Sequence, residues 1–355
     1  MKTQQQTKCI CILTLLCVCL SCNAAPIIDS LDSSVLEKSA TLSGCPVPYT
    51  PDGYESSVLV YKDSLLIVTN QADGVNCPFL LEVFSLPNMK QTGSYLEFGG
   101  GDNQFFFIIP YLSGDKLLLN DVVKKSVTGI DLNAASGLMA EPSSFRQITF
   151  TSQKMTWYKD RILLLNPCYF EGNKGQSNNQ PRTVATDTSM QWTAPKVPYF
   201  ATNVTQGSLV VEPHTGKIAF LDGNASLVEF YSQVGTQPVK KVTGPDYSVP
   251  EYLIIEAGAE SKTVLISKNA TSFYVDAVSD NQRIYAAYRS ITDGENDYLF
   301  CFDWDGNLLK SYKLNGQVKN LSLSADGKAI YVWHNKVDEK KPAESDRLYL
   351  YQLIN

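Results

Sequence analysis

Asp326-Gly327-Lys328-Ala329-Ile330-Tyr331-Val332-Trp333-His334 is the stretch that decides the fold. A tight-turn pair, Asp-Gly, leads through one basic residue into five apolar residues and ends on a polar one. The run has strand length, is too short for an ordinary helix, and is rich in β-branched and aromatic side chains. The same order recurs at Asp63–Asn70, Asp115–Asp121, Asp160–Asn166, Thr215–Asp222 and Asn281–Arg289. Six copies between Asp63 and Asp326 give a period of roughly 53 residues, close to that of propeller blades.

Shorter apolar segments flank these copies. Val58–Tyr61 and Gly207–Val211 precede their turns, while Phe79–Leu86, Leu227–Ser232, Tyr298–Trp304 and Arg347–Ile354 follow. A fourth strand is legible at Leu308–Leu314, after the hairpin pair Asp305-Gly306. One such sheet cannot bury both of its faces, whereas six packed radially can. The pattern predicts an all-β, six-bladed β-propeller of four-stranded blades, as a single domain over residues 34–355. The last repeat holds three strands before Asn355. The alternating segment Ser34–Leu42 is expected to close that last blade as its outer, N-terminal strand.

Composition narrows the classes. With 44% hydrophobic and 19% charged residues in 355, the chain is not disordered. Its 22 glycines and the lack of a long heptad run exclude collagen-like and coiled-coil forms. A net charge of -6 gives a nucleic-acid partner no electrostatic support.

The amino terminus bears on the compartment. Lys2 and Lys8 accompany an apolar run from Cys9 to Leu20, too short to span a bilayer and right for a signal-peptide core. Val18-Cys19-Leu20-Ser21-Cys22 resembles a bacterial lipoprotein cleavage site, with Cys19 where leucine is usual. Residues 1–21 are thus expected to be a signal peptide, Cys22 to be lipidated, and residues 22–33 to be a tether. Cleavage after Ala24 or Ala25 is the alternative. Removing residues 1–21 takes away Lys2 and Lys8 and no acid, so the charge moves from -6 to -8. No acidic cluster follows Cys22, and the resemblance then implies the periplasmic face of the outer membrane rather than the cell surface. Cys45, Cys77, Cys168 and Cys301 remain, and their even count does not assign a pairing. None forms a C-x-x-C pair, so no metal site is expected. Cys301, inside a strand pattern, reads as a buried thiol.

Local motifs then point to a family. Ser324-Ala325-Asp326-Gly327-Lys328-Ala329-Ile330 resembles the S-P-D-G-K-x-I repeat of TolB-type propellers, with alanine for proline. Gly99-Gly100-Gly101-Asp102-Asn103-Gln104-Phe105 is similar to the G-x-G-P-x-E-F segment of TolB-like six-bladed propeller lipoproteins of Bacteroidetes, with aspartate for proline and glutamine for glutamate. Tyr298–Gly316 is similar to that family's penultimate blade. The resemblance covers roughly residues 40–355 and implies a fold. It carries over no catalytic residue, and by analogy with TolB it favours protein interaction.

Candidate site residues follow from the blade pattern. The loops from second to third strands gather on one rim around the channel mouth. Four of them are long: Asn70–Pro78, Asn166–Arg182, Arg289–Asn296 and His334–Asp346. Long loops on a rigid scaffold are a natural recognition surface. Asn70, Asp121, Asn166, Asp222, Arg289 and His334 end the strands below them and form the expected ligand-binding ring. The competing role for these residues is to cap strands and bond their own loops. His214 and His334 are the only histidines, and no G-x-S-x-G elbow occurs, so no catalytic residue and no cofactor are expected. Asp303–Asn307 lacks the ligand spacing of a calcium loop and reads as a hairpin turn. The Gly99–Gly101 run reads as a tight turn between blades.

The expected function is non-catalytic binding of an envelope protein, peptide or glycan by a monomer anchored to the membrane by lipid. The alternative is a propeller enzyme, a lactonase, lyase or glycosidase, working at the channel mouth.

Overall fold

The computed structural model describes residues 25–49, 55–71, 77–86, 88–101, 104–121, 123–124, 126–133, 138–139, 144–147, 155–159, 161–165, 184–186, 207–248, 252–256, 262–266, 272–335 and 346–353. The N-terminal segment runs through β1 (Ile27–Ser30), the one-turn α1 (Ser34–Glu37), β2 (Ala40–Thr41) and β3 (Gly44–Pro46). The first repeat forms β4 (Glu55–Tyr61), β5 (Leu65–Asn70), β6 (Phe79–Ser85) and β7 (Lys90–Glu97). The second forms β8 (Ile108–Ser113), β9 (Lys116–Asp121) and β10 (Ser126–Asn133), with β11 (Leu138–Met139) and β12 (Ser144–Gln147) both pairing with β10. The third gives β13 (Met155–Tyr158), β14 (Arg161–Leu165) and β15 (Val184–Thr186). The fourth gives β16 (Gly207–Val211), β17 (Ile218–Asp222), β18 (Leu227–Tyr231) and β19 (Lys240–Thr243). A hairpin, β20 (Tyr252–Glu256) and β21 (Lys262–Ile266), precedes the fifth: β22 (Tyr274–Ser279), β23 (Arg283–Arg289), β24 (Asp297–Asp303) and β25 (Leu308–Lys313). The last repeat is β26 (Gln317–Leu323), β27 (Ala329–Asn335) and β28 (Asp346–Gln352).

The protein is an all-β propeller of mainly antiparallel sheets. First strands of successive repeats lie side by side, from β4 to β8, β13, β16, β22 and β26, and β26 lies beside β4. The expectation of six four-stranded blades is not met among the described residues. Five sheets have four or five strands, the β13–β15 sheet has three, and β20–β21 stands as a pair.

Packing explains why the diagnostic runs are apolar without alternation. Along β5, Leu65 and Ile67 join a cluster with Leu117 and Leu119 of the second sheet. Leu66 and Val68 point the other way, into a cluster with Trp333 of the last sheet. A strand buried on both faces needs apolar side chains at every position. Each such side chain contributes roughly 1.5–3 kcal/mol on burial.

The N-terminal segment departs from expectation. Ser34–Leu42 is not the outer strand of the last sheet. Ser34–Glu37 turns as α1, helped by the Asp32 carboxylate, which accepts the Ser34 amide at 2.8 Å. Val35 and Leu36 pack on the core beside Leu308. Ala40–Thr41 then pairs in parallel with β25. The strand on β28 is instead Gly44–Pro46, antiparallel, with Gly44 facing Tyr351. A Cβ at Gly44 would stand 2.7 Å from the Tyr351 ring, so a side chain here would have to displace that ring. Ile27–Ser30, inside the stretch expected to be a tether, pairs in parallel with β19.

Cys45 and Cys301 carry free thiols, Cys77 is buried, and Cys168 lies outside the described residues. Cys301 is buried as expected, and burial pushes its thiol up to about 11.

Candidate functional site

Strand register places the ring residues at one end of the propeller. Asn70 faces Glu55, Asp121 faces Ile108, Asp222 faces Gly207 and His334 faces Val318. Arg289 follows Tyr288, which faces Tyr274. Each second strand therefore finishes where its first strand starts, at the upper end of the propeller. Asn166 and most of two long loops, Asn166–Arg182 and His334–Asp346, lie outside the described residues.

The side chains at these strand ends turn inward. Asn70, Asp121, Asp222 and His334 are buried, and Arg289 is partly so. Asn70 Nδ2 donates to Glu82 Oε2 at 3.0 Å and to the Phe79 carbonyl at 3.4 Å. The Asp222 carboxylate accepts the Asn224 amide at 2.8 Å.

Asp121 organises one corner of this end. Its Oδ2 accepts the Phe106 amide at 3.1 Å, and its Oδ1 accepts the Val123 and Lys124 amides at 3.0 and 2.9 Å. One buried carboxylate thus ties the β7–β8 connection to the β9–β10 loop. Lys124 Nζ adds bonds to the Gly101 and Gln104 carbonyls, at 2.6 and 2.5 Å. The connection starts at Gly99, whose φ of +151° and contact with Gln104 leave no room for a side chain. The outcome is that Phe106, Phe107 and Val123 face solvent, at 38%, 42% and 58% exposure. Phe106 also makes an edge contact with Phe98, ring centroids 6.0 Å apart.

Arg289 and His334 meet on opposite sides of Val318, between the last two sheets. Arg289 forks onto Asp297 at 3.0 and 2.8 Å and donates to the Val318 carbonyl at 3.2 Å. Asp297 is fully buried and also accepts the Val318 amide at 2.7 Å. Burial pushes its carboxyl above the usual range, while Arg289 pulls it down. His334 Nδ1 bonds the Gln317 carbonyl at 3.2 Å. A carbonyl only accepts, so Nδ1 donates, and Nε2 can take the Tyr351 hydroxyl at 2.8 Å. Burial pushes the Tyr351 phenol up to about 12.

Above this junction lies a cleft of about 630 Å³, lined by Glu295, Asn296, Gln317, Asn335, Tyr349 and Tyr351 among others. Its wall on the β23–β24 side is held by Asp293, which bonds the Glu295 and Asn296 amides and pairs with Lys313 at 2.6 Å. Burial opposes ionisation of Asp293, yet Lys313 and Asn296 hold its carboxyl below the usual range. Among the described residues, no three His, Cys, Asp or Glu side chains group so as to hold a metal ion.

Nine large apolar side chains are exposed among the described residues, and they fall into two groups. Phe106, Phe107, Val123, Tyr247 and Ile291 stand at the upper end, after β7, β9, β19 and β23. Ile27, Ile28, Val239 and Leu309 stand at the lower end. The sequence hides the first group, because Phe105–Ile109 reads as one apolar strand. Phe105 and Ile108 are indeed buried, but the two residues between them are not.

No known family profile matches the chain, and no curated protein matches it. Solved structures do. A candidate exported protein from Bacteroides fragilis NCTC 9343 is 9% identical over 93% of this chain and 100% of its own, with a TM-score of 0.50. A member of the DUF4221 family from Bacteroides vulgatus is 9% identical over 88% and 96%, with a TM-score of 0.48. The PQQ-bound aldose sugar dehydrogenase of Streptomyces coelicolor is 11% identical over 88% and 99%, with a TM-score of 0.46. At such identity, the likeness to the first of these is one of fold. Among the described residues, no helix is long and apolar enough to cross a membrane.

Proposed function

We propose that the protein is a non-catalytic binding protein of the cell envelope, which recognises a protein, peptide or glycan on the upper end of a TolB-like propeller. The observation that carries this reading is the Asp121 corner. A buried carboxylate is spent on holding two loops together, and those loops present two phenylalanines and a valine to solvent. Exposed aromatic anchors on a rigid frame are the usual chemistry of a recognition surface. In this reading Asn70, Asp121, Asn166 and Asp222 serve recognition through the loops above them, and Arg289 and His334 fasten the last two sheets beneath the cleft.

The same reading takes the β13–β15 sheet as the sixth blade, since β13 lies between β8 and β16 in the series of first strands. It takes the pairing of Gly44–Pro46 with β28 as the closure of the ring. Lipid on Cys22 holds a monomer at the periplasmic face of the outer membrane.

A thermal-shift panel tests the reading, with envelope peptides, glycans and divalent metals, each repeated with a chelator. A ligand that binds only the folded state raises the melting temperature. The expected result is a shift by a peptide, a glycan or an added envelope protein that is lost in the Phe106→Ser, Phe107→Ser double variant. A metal shift reversed by chelator, with turnover of a lactone or glycoside, would overturn it in favour of an enzyme.

A further inference from the structure

The lower end carries the second apolar group, and it sits where the N-terminal segment joins the propeller. Ile27 and Ile28 are 64% and 68% exposed, and Val239 and Leu309 are each 49% exposed. Lys240 links the start of β1 to the turn before β25. The Ile27 amide donates to the Val239 carbonyl at 3.0 Å, and Ile27 faces Lys240. Lys240 Nζ reaches Asn307 Oδ1 at 3.2 Å, two residues before Leu309. These side chains are all aliphatic, whereas the upper group includes Phe106, Phe107 and Tyr247. Two of the nearby cations are neutralised in place, Lys240 by Asp29 at 2.7 Å and Lys217 by Asp305 at 2.6 Å.

We propose that this corner is the surface on which the propeller rests against a lipid bilayer, with its recognition end turned away. The proposal depends on the anchoring of Cys22. From Cys22 to Ile27 the chain can span at most roughly 18 Å. A strand of six residues separates the lower from the upper end by about 20 Å. A lipid on Cys22 therefore keeps the Ile27 corner near the membrane interface and leaves the Phe106 corner out of its reach. The aliphatic side chains fit the acyl boundary, and the paired lysines leave little net charge for anionic headgroups. Contact should thus be insensitive to salt.

The test uses the full-length protein extracted from membranes and reconstituted into vesicles of phosphatidylethanolamine and phosphatidylglycerol, read by hydrogen exchange. Amides in residues 236–243 and 305–311 should exchange about threefold or more slowly on vesicles than in dilute detergent, at low and high salt alike. Residues 104–108 and 290–295 should be unchanged. An Ile27→Ser, Ile28→Ser variant should stay on the vesicles and lose the slowing in 236–243 and 305–311. Slowed exchange at 104–108 instead, or none at either end, would overturn the proposal. So would slowing that appears only when envelope proteins are added, which would assign the corner to a protein. The mass of the N-terminal peptide separates the two readings. A chain without acyl groups that does not sediment with vesicles removes the anchor, and the proposal with it. An acylated chain with an unprotected corner overturns this proposal alone.

Discussion

Asp121 and His334 occupy matching positions, each at the upper end of a second strand, and both are buried. Their partners differ. Asp121 accepts three backbone amides from two loops, one on either side of it in the sequence. His334 is bonded within the sheet, to the carbonyl of Gln317 on β26 and the hydroxyl of Tyr351 on β28. The first arrangement shapes a surface; the second fills an interior. Place in a repeat therefore does not settle a residue's task. What decides it is whether its hydrogen bonds lead out into loops or back into neighbouring strands.

Substitutions sharpen this contrast, with stability read by urea unfolding and recognition by ligand-induced melting shifts. The largest loss of stability is expected from Arg289→Leu, on the His334 side. It strands the buried Asp297 carboxylate and costs about 3 kcal/mol near neutral pH. Burial already raises Asp297 in the folded protein, and without Arg289 only the Val318 amide offsets this. A raised carboxyl favours the folded state when protonated. The variant's deficit should thus shrink as pH falls from 7 towards 4 and grow as pH rises through the folded-state value. A deficit independent of pH would contradict the buried-charge explanation.

Asp121→Ala should cost about 2 kcal/mol, since solvent reaches some of the freed loop amides, and should also abolish recognition. Tyr351→Phe removes one buried bond to His334, and about 1 kcal/mol with it, and should leave recognition intact. Smallest in stability is the Phe106→Ser, Phe107→Ser pair, within about 0.5 kcal/mol of the parent because both side chains are exposed. If that pair lowers stability by about 2 kcal/mol or more while the ligand-induced shift persists, the two sides of the comparison have been assigned the wrong way round.

The fold was legible where burial acts on both faces of a strand. Leu65–Val68 and Ala329–Trp333 had to be apolar throughout, so period and length announced them. The N-terminal strands gave no such signal. Ala40–Thr41 and Gly44–Pro46 are two and three residues long, and their partners lie some 270 and 300 positions away. Alternation in Ser34–Leu42 suited a strand, but Ser34–Glu37 forms one helical turn, whose first amide is bonded by the Asp32 side chain. At the candidate site, strand ends could be located from the repeat, and Asn70, Asp121, Asp222, Arg289 and His334 do share one end. The direction of their side chains could not, because it depends on loops such as Gly99–Phe107. There the bond from Phe106 to Asp121 interrupts an apolar run and sends two of its residues outward.

The most direct test of the upper end as the recognition face is photo-crosslinking in intact cells. A photoreactive amino acid replaces Phe107 in one variant and Ile28 in another. The account predicts a discrete crosslinked envelope protein, peptide or glycan from position 107 and lipid alone from position 28. A discrete macromolecular adduct from position 28, with none from position 107, would contradict it.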